Sequence, residues 1–227
     1  MLGRLEKELG ARLAQIRERI AAACERAGRG PGDVRLIAVT KTWPPEAVAA
    51  AFLAGVTDLG ENYLSELEEK RGSAPEATWH YVGRVQSNKA ARIGSLAHFV
   101  HTLEPGRAVG RLARVGRERG TPIRGLVEVD FTGHRVGVPP ERANAFVDEL
   151  GSAEGIEVVG LMTVAPQPSS EPPRSWFSKL RLLRDEISAA HPDVRELSMG
   201  MSADLDEAIE EGATMVRVGS AIFGPRR

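Results

Sequence analysis

The chain has 227 residues, of which 42% are hydrophobic and 27% charged, and its formal net charge is -1. This balance is typical of a soluble globular protein, and it argues against a general nucleic-acid binder and against polybasic membrane attachment. The single cysteine excludes an internal disulfide framework and a multi-cysteine zinc site. With no apolar run near the roughly 20 residues of a membrane span and no signal-peptide core, we expect one cytoplasmic domain over residues 1–227.

Predicted strands and helices alternate along the chain. Residues 1–27 form an amphipathic helix, because apolar residues recur there at spacings of three and four. Eight short apolar or β-branched segments follow as predicted strands, at 34–40, 58–60, 78–82, 98–102, 123–131, 158–162, 196–199 and 215–218. Helical patterns separate them. The helix after the second strand ends at 68, and the others cover 44–54, 87–93, 105–118, 139–150, 174–190 and 203–211.

Strict alternation of this kind indicates parallel strands joined by helical crossovers. Eight repeats predict the α/β class, as a single (β/α)8 TIM barrel with an N-terminal helix. That helix would fill the place in the outer ring where the last strand has no long helix after it. A doubly wound open sheet is the alternative, but no G-x-G-x-x-G follows the first strand. Residues 166–173 are predicted to form a loop after strand six.

Lysine is scarce, because 25 of the 30 basic residues are arginines. Lys41 follows the first predicted strand, and barrel active sites lie at the C-terminal ends of strands. A lysine partly withdrawn from water has a lowered pKa, and its neutral amine can form a Schiff base with an aldehyde. A solvated lysine at a strand end is the competing interpretation. The other four are expected on the surface of outer helices: Lys7, Lys70, Lys89 and Lys179.

The glycine-rich tail after the last predicted strand is a second candidate site. Glycine lets backbone N–H groups approach an anion, and barrels often bind phosphate in the loops after strands seven and eight. Ser198, Ser202 and Ser220 would add hydroxyl donors there. Serine and glycine are also ordinary turn residues, which is the competing interpretation.

The histidines do not have the spacing of a metal site. His98 and His101 lie three apart on a predicted strand and would point to opposite faces. His80, between two aromatic residues, is interpreted as a packed or hydrogen-bonded side chain. We therefore expect no metal site.

Several segments along the chain match one known family. They are AVTKT at 38–42, GENY at 60–63, WHYVG at 79–83 with QSNK at 86–89, GLM at 160–162, LSMGMS at 197–202 with Asp204, and VRVGSAIFG at 216–224. Together they resemble the YggS/PROSC-type pyridoxal phosphate homeostasis proteins. The resemblance implies a single-domain barrel like the N-terminal domain of alanine racemase.

The same resemblance implies pyridoxal 5′-phosphate (PLP) as the cofactor, held covalently on Lys41 as an internal aldimine. It implies that Arg217 faces the pyridine nitrogen and keeps that nitrogen unprotonated, which weakens the ring as an electron sink. It further implies that Gly219 and Ser220 bind the phosphate with help from the loop 198–202, and that Asn62 lies near the cofactor. The cofactor-binding residues implied are Lys41, Asn62, Ser198, Met201, Ser202, Arg217, Gly219 and Ser220.

Two positions depart from the family pattern, since Trp43 and Arg135 stand where many members have lysines. A relay through a second lysine is therefore not expected. The function implied is a non-catalytic protein of PLP homeostasis that supplies PLP to apo-enzymes, without catalytic residues. A PLP-dependent racemase-type enzyme of weak or narrow activity is the alternative, and a barrel for another phosphorylated metabolite is a third. A monomer is expected, and a dimer through one helical face stays open.

Overall fold

A computed structural model describes residues 2–166, 169 and 171–225, without the side chains of residues 2–6, so part of the predicted loop at 166–173 lies outside it. The strands are β1 Arg35–Val39, β2 Asp58–Glu61, β3 Thr78–Tyr81, β4 Phe99–Leu103, β5 Ile123–Glu128, β6 Ile156–Met162, β7 Glu196–Ser198 and β8 Met215–Val218. The helices are α1 Leu2–Arg26, α2 Pro45–Leu53, α3 Leu64–Lys70, α4 Ala90–Leu96, α5 Arg107–Glu118, α6 Pro140–Gly151, α7 Pro173–Ser188, α8 Leu205–Glu210 and α9 Ser220–Phe223. Short 3-10 turns cover Pro31–Asp33 and Arg71–Ser73.

The eight strands form a closed parallel barrel in sequence order. β1 closes it by pairing with β8, where Ile37 lies opposite Arg217, and with β2, where Val39 lies opposite Gly60. The predicted (β/α)8 barrel is thereby confirmed, and the open-sheet alternative is excluded. Because all strands are parallel, their carboxyl ends meet at one end of the barrel, which we call the mouth.

The N-terminal helix α1 closes the outer ring. Its residues Leu9, Leu13, Ile16 and Ile20 are buried, and the helix packs against α2, α8 and α9. An ion pair between Arg19 and Asp206 joins α1 to α8. Since α9 has only four residues, α1 takes the place in the outer ring that a long helix after β8 would fill, as the sequence predicts.

The apolar core has two layers. The larger one lies between the strands and the surrounding helices. The smaller one is inside the barrel and consists of Ile37, Phe99, Leu126, Val159, Met162 and Met215. Side chains two positions further along a strand point the same way, which brings His101 and Arg217 inside as well, above Phe99 and Met215. Both are buried, so the interior is apolar at one level and polar at the next.

None of the helices in the described ranges is long and apolar enough to cross a membrane.

Candidate functional site

The carboxyl ends of the strands surround a cavity of about 500 Å³ at the mouth. Seven of the eight residues that the sequence singles out line this cavity: Lys41, Asn62, Met201, Ser202, Arg217, Gly219 and Ser220. The fold thus brings together residues that are up to 179 positions apart in the chain, from Lys41 to Ser220. Ser198 is the exception, and its position is described below.

The backbone around Lys41 is held in an unusual conformation. Lys41 lies two residues beyond β1, and Thr42 after it has a φ of 69°, a left-handed conformation that is uncommon for residues other than glycine. The Thr42 N–H donates to the Glu66 carboxylate at 2.7 Å, and the Thr40 N–H donates to the Gly60 carbonyl at 2.9 Å. Hydrogen bonds on both sides of Lys41 therefore fix the point where its side chain starts.

Lys70 is not on the surface, so the prediction for this lysine is wrong. Its side chain is 2% exposed, and its ammonium group donates to the Thr40 carbonyl at 2.7 Å, to Glu61 at 2.8 Å and to Glu66 at 2.5 Å. Because these three acceptors use all three ammonium protons, the charge is compensated inside the protein. Helix periodicity alone could not reveal this environment, since Lys70 ends α3 among the charged residues that suggest a surface.

The carboxylate of Glu61 completes this buried cluster. One oxygen accepts hydrogen bonds from Lys70 and Thr40, while the other finds no hydrogen-bond partner among the residues that the structure describes. Burial raises the pKa of Glu61 above its usual value, although the bonds from Lys70 and Thr40 oppose the shift. The cluster ties the end of β1 to the end of β2 and to α3, directly behind Lys41.

Arg217 is the buried cation of the site. It comes from β8, is 6% exposed, and donates to the Ser198 hydroxyl at 2.5 Å and to the Thr163 carbonyl at 2.9 Å. Burial lowers the pKa of Arg217 to about 10, although the charges of Glu128 and Asp204 oppose the shift. The guanidinium group is therefore still protonated at neutral pH, and it is fixed in place by partners on β7 and beyond the end of β6.

Ser198 lies inside the barrel, below the mouth. It is fully buried, and its hydroxyl is bonded to His101 at 2.8 Å and to Arg217. This position suits support of Arg217 better than the phosphate contact predicted from the sequence. His80, interpreted from the sequence as packed or hydrogen-bonded, bonds to His101 and to Asp58, each at 2.9 Å. His98 precedes β4 instead of lying within it, and its ring accepts the Trp79 N–H.

A group of donors lies on the other side of the cavity. The Ser202 and Ser220 hydroxyls are 3.2 Å apart, and the Ala221 N–H donates to Ser202 at 3.3 Å. A Cβ atom at Gly219 would lie 3.2 Å from the Val39 carbonyl oxygen, so glycine lets this turn lie close against the end of β1. The arrangement offers two hydroxyls and a compact turn to an anion.

Glu128 is a residue of the mouth that the sequence did not single out. It ends β5, lines the same cavity as Lys41 and Arg217, and has its pKa raised to about 7 by burial, although the charges of Arg217 and Arg135 oppose the shift. It is therefore a carboxyl group able to hold or release a proton near neutral pH. Glu128 lies two positions after Leu126 on β5, and Leu126 points into the barrel. The alternation of side chains along a strand therefore indicates that Glu128 also points inward, at the mouth.

A second cavity of about 460 Å³ lies at the opposite end of the barrel, where the strands begin. It is lined by Arg35, Asp58, Phe99, Arg124 and Glu157, among others. Charged groups here are largely paired, since Arg35 lies 3.6 Å from Asp58 and Arg124 lies 3.3 Å from Glu157. In the part of the chain with described side chains, no group of three or more His, Cys, Asp or Glu residues could hold a metal ion.

Comparison with known proteins gives consistent matches. Residues 11–227 match the family described as "Alanine racemase, N-terminal domain". The "Pyridoxal phosphate homeostasis protein" of Aquifex aeolicus is 35% identical over 222 residues, which are 95% of this chain and 97% of the relative. The protein of the same name from Escherichia coli is 34% identical, over 94% of this chain and 95% of the relative.

Solved structures agree. PipY of Synechococcus elongatus, in a structure with PLP bound, has a TM-score of 0.84 and 31% identity, over 95% of this chain and 100% of that chain. A protein from Bifidobacterium adolescentis has a TM-score of 0.90 and 34% identity, over 97% and 96% of the two chains. Alanine racemase of Clostridium difficile has a TM-score of 0.77 at 17% identity, over 96% of this chain and 57% of that chain, which is a likeness of fold alone.

Proposed function

This chain belongs to the family of pyridoxal phosphate homeostasis proteins, whose domain is that of the alanine racemase N-terminus, and on that premise we propose that it binds PLP as a Schiff base on Lys41. We propose further that it acts as a non-catalytic carrier, which holds PLP and supplies it to apo-enzymes inside the cell. The observation that carries the proposal is the convergence of Lys41, Arg217 and the Ser202–Ser220 donors on one cavity.

The residues of the mouth fit PLP by their chemistry. PLP brings an aldehyde, a pyridine nitrogen and a phosphate. Lys41 is the amine for the aldehyde, while the Ser202 and Ser220 hydroxyls and the turn at Gly219 are donors for the phosphate. Arg217 is a cation for the side of the ring that carries the nitrogen. The cavity of about 500 Å³ is within the range of small-molecule sites.

The role of Arg217 favours holding the cofactor over using it. Arginine does not hand over its proton, and burial leaves the pKa of Arg217 at about 10, well above neutral pH. A pyridine nitrogen that faces it is left without a proton, and an unprotonated ring withdraws electrons weakly. This environment supports a carrier more than an enzyme that must stabilise a carbanion.

Glu128 favours the second candidate, a racemase-type enzyme of weak or narrow activity. A general acid or base works best when its pKa is near the operating pH, and the pKa of Glu128 is raised to about 7 by burial. Its carboxyl group lies in the same cavity as Lys41. The two candidates therefore differ in whether this carboxyl exchanges a proton with a bound amino acid.

We expect purified protein loaded with PLP to show the visible absorption of a lysine Schiff base. Borohydride reduction followed by peptide mass spectrometry should locate the cofactor on Lys41. Lys41→Ala should remove both signals, because no other amine lines the cavity among the described residues. Lys89→Ala is the matched control, since Lys89 is exposed and precedes α4. Reduction that labels another lysine in the wild-type protein would overturn the Lys41 assignment.

The same loaded protein separates the carrier from the enzyme. Mixed with an apo-enzyme that requires PLP, it should restore that enzyme's activity, and a panel of L- and D-amino acids should give no sustained turnover. Racemisation at about 1 s⁻¹ or faster, within the usual range for enzymes, would favour the enzyme. If Glu128→Gln then abolished this turnover, the carboxyl group would be its acid or base.

A further inference from the structure

A continuous chain of hydrogen bonds crosses the interior of the barrel. Asp58 Oδ1 lies 2.9 Å from His80 Nε2, and His80 Nδ1 lies 2.9 Å from His101 Nε2. His101 Nδ1 lies 2.8 Å from Ser198 Oγ, which accepts a hydrogen bond from Arg217 Nη1 at 2.5 Å. Four strands besides β8 contribute to this buried chain: β2, β3, β4 and β7.

Burial favours the neutral form of both histidines at neutral pH. Burial lowers the pKa of His80, although its bond to Asp58 opposes the shift. Burial also lowers the pKa of His101 well below its usual value, and the positive charges of Arg217 and Arg35 add to this shift. Burial alone would raise the pKa of Asp58, but hydrogen bonds from His80 and Thr57 and the charge of Arg35 lower it. The chain therefore runs from a cation through neutral groups to a carboxylate.

With both rings neutral, only one arrangement of protons satisfies every link. The Asp58 carboxylate only accepts, so His80 donates through Nε2 and its bare Nδ1 must accept. His101 consequently donates through Nε2 and accepts through Nδ1. The one proton of the Ser198 hydroxyl goes to His101, which leaves the Ser198 oxygen to accept from Arg217. Each donor dipole thus points its positive end towards Asp58, and such aligned bonds polarise one another.

The two ends of this chain lie in different cavities. Arg217 lines the cavity at the mouth, and Asp58 lines the cavity at the opposite end, beside Arg35. The carboxylate is therefore far enough from the mouth that no direct contact with a ligand of Lys41 is involved. Any effect of Asp58 on the mouth must therefore pass through His80, His101 and Ser198.

We propose that Asp58, His80 and His101 are positioning residues for Arg217. Through a fixed sequence of protons they direct the Ser198 hydroxyl proton to His101, so that the Ser198 oxygen accepts from Arg217. Arg217, held by Ser198 and Thr163, then presents its remaining N–H groups to the ring of the cofactor. This inference rests on the proposed function, because the ring is that of PLP. It is not a relay of protons to the ring, since Arg217 keeps its own.

The chain is testable without the cofactor. In PLP-free protein labelled with ¹⁵N in its imidazole rings, long-range ¹H–¹⁵N spectra distinguish the two neutral tautomers from each other and from the charged ring. We expect His80 and His101 to be neutral, with the proton on Nε2, at about pH 6.5, where a free histidine is half charged. Either ring found charged, or with its proton on Nδ1, would overturn the proposal.

Asp58→Asn tests the link to the cofactor. Asparagine keeps the size of the side chain and an acceptor oxygen but removes the charge, so the orientation of the chain is no longer imposed. We expect the visible band of bound PLP to shift and PLP release to accelerate about fivefold, as for the loss of one hydrogen bond of ordinary strength. Glu157→Gln is the matched control, because it also removes a carboxylate from the cavity at the opposite end of the barrel. Glu157 is not part of the hydrogen-bonded chain, so this variant should leave both readouts unchanged.

The outcomes separate this inference from the proposed function. If wild-type protein binds no PLP, the proposed function fails, and the tautomers still decide whether the chain exists. If PLP binds and Asp58→Asn leaves the band and the release rate as in the wild type, the positioning role is wrong while the proposed function stands. Equal effects of Asp58→Asn and Glu157→Gln would also count against it, since they would reflect net charge alone.

Discussion

A buried ammonium group is stable only when its protons have acceptors and its charge has a counter-charge. Lys70 meets both conditions through Glu61, Glu66 and the Thr40 carbonyl. Its neighbours in turn hold the backbone on both sides of Lys41, through Thr40 and Thr42. One residue that does not line the cavity thus determines how the Schiff-base candidate enters it.

We predict that Lys70→Met lowers the free energy of unfolding by about 3–5 kcal/mol, because removing one partner leaves the buried Glu61 carboxylate uncompensated. Urea denaturation measures this change. Lys179→Met is the control and should cost less than about 1 kcal/mol, since Lys179 pairs with Glu171 at the surface. Adding Glu61→Gln to Lys70→Met should recover part of the loss. Equal costs for the two lysine variants would refute the role of the cluster.

Residue positions in the candidate site were partly predictable. Lys41 and Arg217 were identified because strand ends converge in a barrel and because the family motif marks them. The sequence did not identify the roles of three further groups, because their environment depends on which side chains of neighbouring strands and helices meet. These groups are Lys70, Glu128 and the pair His80–His101. Sequence spacing gives the direction in which a side chain points, but it does not give the partner that it finds there.

At the scale of elements, helix α5 carries two glycines in opposite environments. A Cβ atom at Gly116 would lie 1.9 Å from the Gly155 carbonyl oxygen, whereas one at Gly110 would have nothing within 4 Å. Gly116 therefore lets the helix lie directly against the turn before β6. Gly110 is exposed and makes no such approach.

Alanine substitutions should separate these two roles. Gly110→Ala should stabilise the protein by about 0.5–1 kcal/mol, the difference in helix propensity. Gly116→Ala should destabilise it despite the same gain, because backbone atoms cannot move out of the way without shifting α5. Thermal unfolding measures both variants. A Gly116→Ala protein as stable as Gly110→Ala would show that the close approach is unimportant.

The elements themselves were largely predictable. Periodicity placed β8 at 215–218, as observed, and most other boundaries within two or three residues. The main differences are local. β5 ends at Glu128 instead of residue 131, because Asp130 turns to accept the Thr132 and Arg135 N–H groups, and α4 begins at Ala90, after a turn closed by Lys89 and Gln86. These bonds join residues two to five positions apart, so they are local turn contacts that hydrophobic periodicity does not register.

For the molecule as a whole, groups buried in the barrel make stability depend on pH in two opposing ways. Burial lowers the pKa of His80 and His101. The unfolded chain therefore binds protons that the folded protein does not bind, and stability falls as the pH drops below about 6.5. The pKa of Glu128 is raised from 4.5 to about 7 by burial. The folded protein therefore holds a proton that the unfolded chain releases, and this contribution falls as the pH rises from about 4.5 to 7.

We predict opposite slope changes for two variants between about pH 5 and 6.5. His101→Gln should flatten the loss of stability towards acid, and Glu128→Gln should steepen it, each by up to about 1.4 kcal/mol per pH unit. Urea denaturation across this range measures both slopes. His134→Gln is the control, since His134 is exposed in a loop. Slopes that change in the same direction for both variants would contradict this assignment of the buried groups.

The pairing of β1 with β8 and the packing of α1 on α8 and α9 also bear on biosynthesis. The ribosome makes α1 and β1 well before α8, β8 and α9, at about 5–20 residues per second. On the order of ten to forty seconds therefore pass between the synthesis of β1 and that of β8. During that time the growing chain carries an open sheet edge and an uncovered apolar helix face, features that make nascent proteins depend on chaperones. Closure of the barrel, and with it assembly of the mouth, therefore waits for the synthesis of β8.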